Sequence, residues 1–325
     1  EQLKEAKVLV IGAGGLGCPA LQYLTAAGVG FIGIIDNDQV EVSNLQRQIL
    51  FRTEDIGKYK AKVAADAMSQ LNPHTEFTVY QERLTVENTL EIIRHYDVIV
   101  DGTDNFETRY LTNDSCVILG KPFVFGSIFK FDGQVSVFNY KNGPTYRCLF
   151  PTPPQDMPNC SQVGVLGVLP GIIGSYQANE VLKIILNIGD VLTGKLLTID
   201  TLQNQQAVFS FKKIAENGGI KVLGDYSSYK GTSCLLSSIE TISVDELAES
   251  LEDVFLLDVR EQNEFKICHL PNALLIPLHK LKESVSEIPR DKKVVIYCHH
   301  GNRSKSALKV LSDDYGFKNL VSLEG

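Results

Sequence analysis

The chain has 325 residues, 44% of them hydrophobic and 22% charged, with a formal net charge of -8; this length predicts two domains, and the composition supports buried cores rather than disorder. The acidic balance and the lack of a Lys/Arg cluster argue against a nucleic-acid partner. No apolar run reaches the ~20 residues needed to cross a bilayer, and the opening EQLKEAK lacks the basic-then-apolar order of a signal peptide, so the expected setting is cytoplasmic with no membrane partner.

From the N-terminus, short β-rich runs alternate with helical stretches: KVLVIGAGGLG, FIGIIDND, YDVIVDGTDN and PFVFGSI. This is the βαβ rhythm of a doubly wound parallel sheet. Gly12, Gly14 and Gly17 stand in GxGxxG spacing between an apolar strand and a helix-like stretch. Such glycines let backbone N–H groups approach an anion at a helix N-terminus. Asp36 closes the second strand, where an acid accepts hydrogen bonds from ribose hydroxyls. These features suit NAD, FAD or ATP equally. Asn44, Arg47 and Gln48 in VEVSNLQRQILF, and Lys60 in GKYKAKV, shift the balance toward a triphosphate, since fixed cations neutralise developing pyrophosphate charge. Taken singly, Arg47 or Lys60 reads as a solvated helix face or surface ion pair.

Next comes YRCLFPTPPQDMPNC, too rich in proline for regular helix, which ends at Cys160. A cysteine near a helix N-terminus has a lowered pKa and is nucleophilic, while an ordinary loop thiol is an equal reading of Cys160. Between about Lys212 and Ile239 the pattern loosens into a linker. The rhythm restarts with SVDELAESL, VFLLDVR, ALLIPL and KVVIYC, each short enough to be a strand of a second small sheet. In VVIYCHHGNRS, Cys298 follows a strand, and Arg303 closes a short loop before the helix-forming run SKSALKVL. A loop curling around a thiolate, a helix N-terminus and an arginine together lower a thiol pKa and cradle an anionic persulfide. The four residues between Cys298 and Arg303 make a ring tighter than the five-residue loop of cysteine phosphatases, favouring sulfur over phosphate. Asp258 and Arg260 read as a structural ion pair, Cys268 as buried and inert, and Cys18 and Cys116 as packing residues on helices.

In this order, GAGGLG, DxDxVExSNLQRQ, GKxKA and GTDN resemble the MoeB/ThiF/HesA adenylating family, related to ubiquitin-activating enzymes. The C-terminal motifs resemble those of rhodaneses. The resemblance implies a Rossmann-like α/β adenylation domain over residues 1–212, a linker over 213–238, and a small α/β rhodanese domain over 239–325. It implies that Gly15, Asp36 and Ser43 hold ATP, that Asn44 and Arg47 face its phosphates, that Lys60 stabilises the transition state, and that Asp104 organises Mg2+ with Asn105 beside it. Asp104 also reads as the N-cap of the helix that follows. Cys298, Cys160 and Arg303 would carry the sulfur chemistry.

The activity so implied is adenylation of the C-terminal glycine of a ubiquitin-like sulfur carrier ending in Gly-Gly, followed by sulfur transfer to form a thiocarboxylate. The sulfur donor would be a cysteine desulfurase or thiosulfate, and the assembly a homodimer. Many relatives hold zinc with two CxxC pairs; here Thr145 replaces one thiol and Cys148 stands alone, so zinc is not expected. The family pattern also implies segments beyond both ends: an N-terminal helix bearing an arginine for the partner's site, and a closing helix after SLEG. Two other classes stand beside this reading: a nucleotide-dependent oxidoreductase fused to a rhodanese, and a non-catalytic binding module.

Overall fold

The computed structural model describes residues 1–153, 165–226, 229, 241–249, 251, 254–298 and 301–323. Two compact units divide the chain, Glu1–Gly231 and Thr232–Gly325.

In the first unit, strands β1 (Lys7–Ile11), β2 (Phe31–Ile35), β3 (Glu76–Tyr80), β4 (Val98–Asp101) and β5 (Phe123–Phe129) pair in parallel. Antiparallel β6 (Asp132–Phe138), β7 (Lys195–Asp200) and β8 (Gln205–Ser210) extend one side, giving the order β3-β2-β1-β4-β5-β6-β7-β8. The run VLVI of β1 is apolar at every position because both faces are covered. Val8 and Val10 pack with the helices Gly17–Ala26 and Lys60–Leu71, while Leu9 and Ile11 pack with residues of Phe106–Leu119. Strand order reverses beside β1, which lies between β2 and β4. Ligands of open α/β sheets bind at the carboxyl ends of the strands at such a switch point, and here those ends carry Gly12, Asp36 and Gly102.

The second unit is a five-stranded parallel sheet, ordered β11 (Leu274–Leu275), β10 (Phe255–Asp258), β12 (Val294–Tyr297), β13 (Leu320–Leu323), β9 (Thr241–Ile242). Strand β12 is central and buried at all of its positions. Val294 and Ile296 join Ala307 and Leu311 of the helix Asn302–Asp313 in one core, and Val295 and Tyr297 join Leu256 and Val321 in another.

Three local readings change. The run SVDELAESL forms the helix Val244–Glu249 rather than a strand. Its signal is a reciprocal cap: the Ser243 N–H donates to Glu246 Oε2 at 2.9 Å, and the Glu246 N–H donates to Ser243 Oγ at 3.2 Å. The described part of the stretch read as a linker belongs to the first unit. Tyr226 is buried there and donates to Asp114 Oδ2 at 2.7 Å, while the Tyr229 ring lies 4.9 Å from that of Tyr110. The strands β7 and β8 complete the sheet edge where the sequence pattern gave no strand.

Candidate functional site

The glycine loop is shaped by close backbone approach. Gly12 has φ +90°, and a Cβ on Gly17 would lie 1.9 Å from the Gly12 carbonyl oxygen, so neither position accepts another residue without moving the loop. Around it the strand ends converge. Asp36 Oδ2 accepts the Ala13 N–H at 2.8 Å, and Oδ1 accepts the Asp38 N–H at 2.8 Å. Burial raises the Asp36 carboxyl above its ordinary range. A Cβ on Gly15 would meet Pro170 at 3.0 Å and Arg47 at 3.6 Å, and one on Gly14 would meet Gln48 at 3.8 Å. Arg47, Gln48 and the start of the helix Val168–Leu186 therefore wall the loop.

Lys60 opens the helix Lys60–Leu71, and its side chain is only 8% exposed. Its Nζ meets Asp38 Oδ2 at 2.8 Å, and that carboxylate is 61% exposed, so the ion pair presents its acidic half to water. Arg47 Nη1 donates to the Ser43 carbonyl at 3.1 Å; buried Asn44 accepts the Glu41 N–H on Oδ1 at 3.1 Å. Arg47 and Asn44 are thus fixed by the 3-10 turn Val42–Asn44. Ser43 Oγ donates to Glu41 Oε2 at 3.2 Å.

Asp104 is exposed, and among the described residues its carboxylate has no hydrogen-bonding or ionic partner. The cap of Phe106–Leu119 is instead Asn105, whose Oδ1 accepts the Thr108 N–H at 2.9 Å. The capping role given to Asp104 by sequence therefore moves to Asn105, leaving the acid to face solvent. Beneath this loop lies a pair that sequence reading missed. Arg109 Nε meets buried Asp101 Oδ2 at 3.2 Å, and Nη2 donates to the Thr103 carbonyl at 2.8 Å. Burial pushes the Asp101 carboxyl up, opposed chiefly by the Arg109 charge. No local pattern marks this pair, because its eight-residue spacing crosses from a strand to a helix.

Cys160 lies outside the described residues. Cys148, the lone thiol of the corner where zinc was not expected, is surrounded among the described residues by hydrogen-bond donors. The N–H groups of Thr145 and Ile214 donate to its Sγ at 3.4 and 3.3 Å, and Asn217 Nδ2 lies at 3.9 Å. Burial alone raises this thiol, yet the hydrogen bonds from Thr145, Ile214 and Asn217 outweigh it and hold the pKa below the ordinary value. This donor set does not fit zinc. Among the described residues no group of three His, Cys, Asp or Glu could hold a metal ion.

In the second unit, Cys298 follows β12, and the helix Asn302–Asp313 starts after Gly301 at φ +74°. The Ser304 N–H donates to Cys298 Sγ at 3.4 Å, and Ser304 Oγ is itself tied to the Gly301 carbonyl at 2.9 Å. Arg303 is not left facing the sulfur alone: both its terminal nitrogens meet the Glu264 carboxylate, at 2.6 and 2.7 Å. Sequence reading missed Glu264. Asp258 and Arg260 form a buried pair at 2.7 Å. Cys18 and Cys116 are buried, and burial drives the Cys18 pKa up to about 12. Cys268 is exposed rather than buried, beside Ile267 at 84% exposure, because the helix Gln262–Ile267 ends at the surface.

Residues 1–220 match the ThiF family and residues 243–325 the rhodanese-like domain. The probable adenylyltransferase/sulfurtransferase MoeZ of Mycobacterium tuberculosis is 40% identical over 341 residues, covering 100% of this chain and 86% of that protein. The adenylyltransferase and sulfurtransferase MOCS3 of Xenopus laevis is 40% identical, covering 98% and 79%. The sulfur carrier protein adenylyltransferase of Thermus thermophilus is 53% identical over 232 residues, 69% of this chain and 84% of that one. In fold, the chain is similar to E. coli MccB solved with ATP, with a TM-score of 0.59 and 23% identity over 69% of this chain and 67% of that one. The chain belongs to the ThiF family, in the form that joins an adenylyltransferase to a C-terminal rhodanese-like sulfurtransferase domain.

Proposed function

We propose that this protein activates the C-terminal glycine of a ubiquitin-like sulfur carrier with ATP, and that Cys298 supplies the sulfur that converts the activated carboxyl to a thiocarboxylate. The observation that carries the reading is the convergence, at the ends of β1, β2 and β4, of a positive-φ glycine loop, a ribose-type acid and two held cations. A dinucleotide oxidoreductase needs the first two and has no use for Lys60 and Arg47.

Gly15 and Asp36 receive the nucleotide, with Ser43, Asn44 and Arg47 along its phosphates. The carrier carboxylate attacks the α-phosphorus, the bond to pyrophosphate breaks, and an acyl-adenylate forms. Arg47 and Lys60 neutralise the charge that gathers on the departing pyrophosphate. Asp104 would hold Mg2+, since its carboxylate is exposed and uncommitted, with Asn105 beside it held as the cap of Phe106–Leu119; when bound, that ion would screen phosphate charge. The persulfide on Cys298 then attacks the acyl carbon and displaces AMP. An external thiol attacks the Cys298 sulfur of the resulting acyl disulfide, releasing the thiocarboxylate and leaving a mixed disulfide that a further thiol reduces; Cys160 would assist release of the carrier through an acyl disulfide or thioester of its own.

The reading places a homodimer in the cytoplasm, fed by a cysteine desulfurase or thiosulfate. Its test is pyrophosphate exchange with ATP, Mg2+ and a carrier ending in Gly-Gly: exchange that depends on the carrier supports it, whereas no exchange together with tight NADH binding would replace it with an oxidoreductase. The corner around Cys148 has its own test. Purified protein is expected to hold no stoichiometric zinc and to keep its melting temperature in chelator, while Cys148→Ala costs about 1 kcal/mol through the lost acceptor. Stoichiometric zinc by elemental analysis would show that the hydrogen-bonded sulfur is misread.

A further inference from the structure

We infer that Glu264 sets the sulfur-donor selectivity of the Cys298 loop, by occupying Arg303 so that the loop favours a monoanionic persulfide over dianionic thiosulfate. The inference rests on the sulfurtransferase reading of this domain and goes beyond it in naming the donor chemistry and the residue that chooses it.

Arg303 is the one arginine between Cys298 and Ser304, whose N–H donates to the Cys298 sulfur. Both its terminal nitrogens are taken by the two oxygens of Glu264, at 2.6 and 2.7 Å, a bidentate arrangement that fixes the guanidinium plane as well as its charge. Glu264 is itself preorganised: its Oε2 also accepts the Glu261 N–H at 3.0 Å, the reciprocal cap that starts the helix Gln262–Ile267. Hydrogen bonding from Arg303 holds the Glu264 carboxyl down at about 2, so it stays charged at any working pH. The neighbouring Arg260 is bound to Asp258 and to the Cys268 carbonyl, at 2.7 and 2.8 Å. The Arg303 charge is therefore compensated before any donor arrives.

The two donor classes ask different things of that charge. With thiosulfate, the Cys298 thiolate attacks the sulfane sulfur, the S–S bond breaks, Cys298 keeps the transferred sulfur as a persulfide, and sulfite leaves as a dianion. A dianion entering and leaving wants an uncompensated guanidinium, and its sulfonate must compete with a carboxylate already seated in both positions. With a persulfide R–S–S⁻, the same attack leaves R–S⁻, which takes a proton from solvent. That donor brings one charge and no sulfonate group to be gripped. The electron count is the same in both, and no outside oxidant or reductant is required.

Glu264→Gln retains the side-chain oxygen for the Glu261 N–H and nearly the same volume while removing the charge. In this chain we expect it to raise kcat/KM for thiosulfate about three- to fivefold, the scale of one partly exposed ion pair, and to leave kcat/KM for cysteine persulfide, a monoanion at neutral pH, within about 1.5-fold. Adding Arg303→Gln should abolish the gain, which a merely structural role for Glu264 would not do. Glu264→Asp, which keeps the charge but withdraws it, should show a smaller gain of the same sign and serves if the glutamine variant fails to fold. Parallel losses with both donors, or an unchanged ratio between them, would overturn the inference. Wild-type protein inactive with every donor would instead sink the sulfurtransferase reading on which it rests.

Discussion

Replacement of Lys60 by alanine is expected to lower the rate of carrier-dependent pyrophosphate exchange by about 10²–10³, the scale of removing one preorganised group that meets developing charge. On the proposed reading, in which Lys60 meets the departing pyrophosphate while Asp36 and the glycine loop hold the rest of the nucleotide, the loss should fall on kcat more than on the KM for ATP. Folding should survive. The Lys60 side chain is 8% exposed but its partner Asp38 is 61% exposed, so the carboxylate left behind returns to water and the stability cost stays near about 1 kcal/mol. Lys60→Arg should recover part of the rate, since charge returns without the compact ammonium geometry. Sulfur loading of Cys298 should be unchanged, because the residue lies in the other unit. A fall of less than about tenfold would show that Lys60 is a structural partner of Asp38 and no more.

What the sequence revealed and what it hid divide along the range of the interactions. The glycine loop, the acid after β2 and the cysteine after β12 were legible because each is a local event: a strand ends, a turn demands small residues, and a functional atom follows within a few positions. The partners that fix the charged side chains around them were not legible. Lys60 finds Asp38 22 positions away, Arg303 finds Glu264 39 away, and Asp114 finds Tyr226 112 away. Such pairs are set by which strands lie adjacent, and no spacing rule encodes that.

The strand β8 was missed for a different reason. All its residues are exposed, so the inside-outside alternation that marks a half-buried strand is lost. Cys268, read as buried and inert, is exposed instead, with Ile267 beside it at the surface. Cap chemistry, by contrast, was readable and under-used. Asn105 rather than Asp104 starts its helix, and the Ser243–Glu246 pair announces one where a strand was expected.

Substitution of Cys298 by alanine is expected to reduce sulfur transfer from thiosulfate by at least about a thousandfold, since the sulfur that would carry the persulfide is gone. The domain should remain folded. Its core lies in Leu257, Val294, Ile296, Ala307 and Leu311, all buried, against which Cys298 packs only at the margin. Cys298→Ser sharpens the result, because a hydroxyl can keep the contact with the Ser304 N–H, now 3.4 Å from the sulfur, and so separates the role of the sulfur from that of the loop. Both variants should retain pyrophosphate exchange at the wild-type rate, because the acyl-adenylate forms before sulfur is needed, and both should yield AMP-activated carrier that never gains a sulfur atom by mass spectrometry. If thiosulfate still labels the chain after Cys298→Ala, the acceptor is another cysteine. Exposed Cys268 would then be the first to replace, since it is the described thiol in this unit most open to solvent.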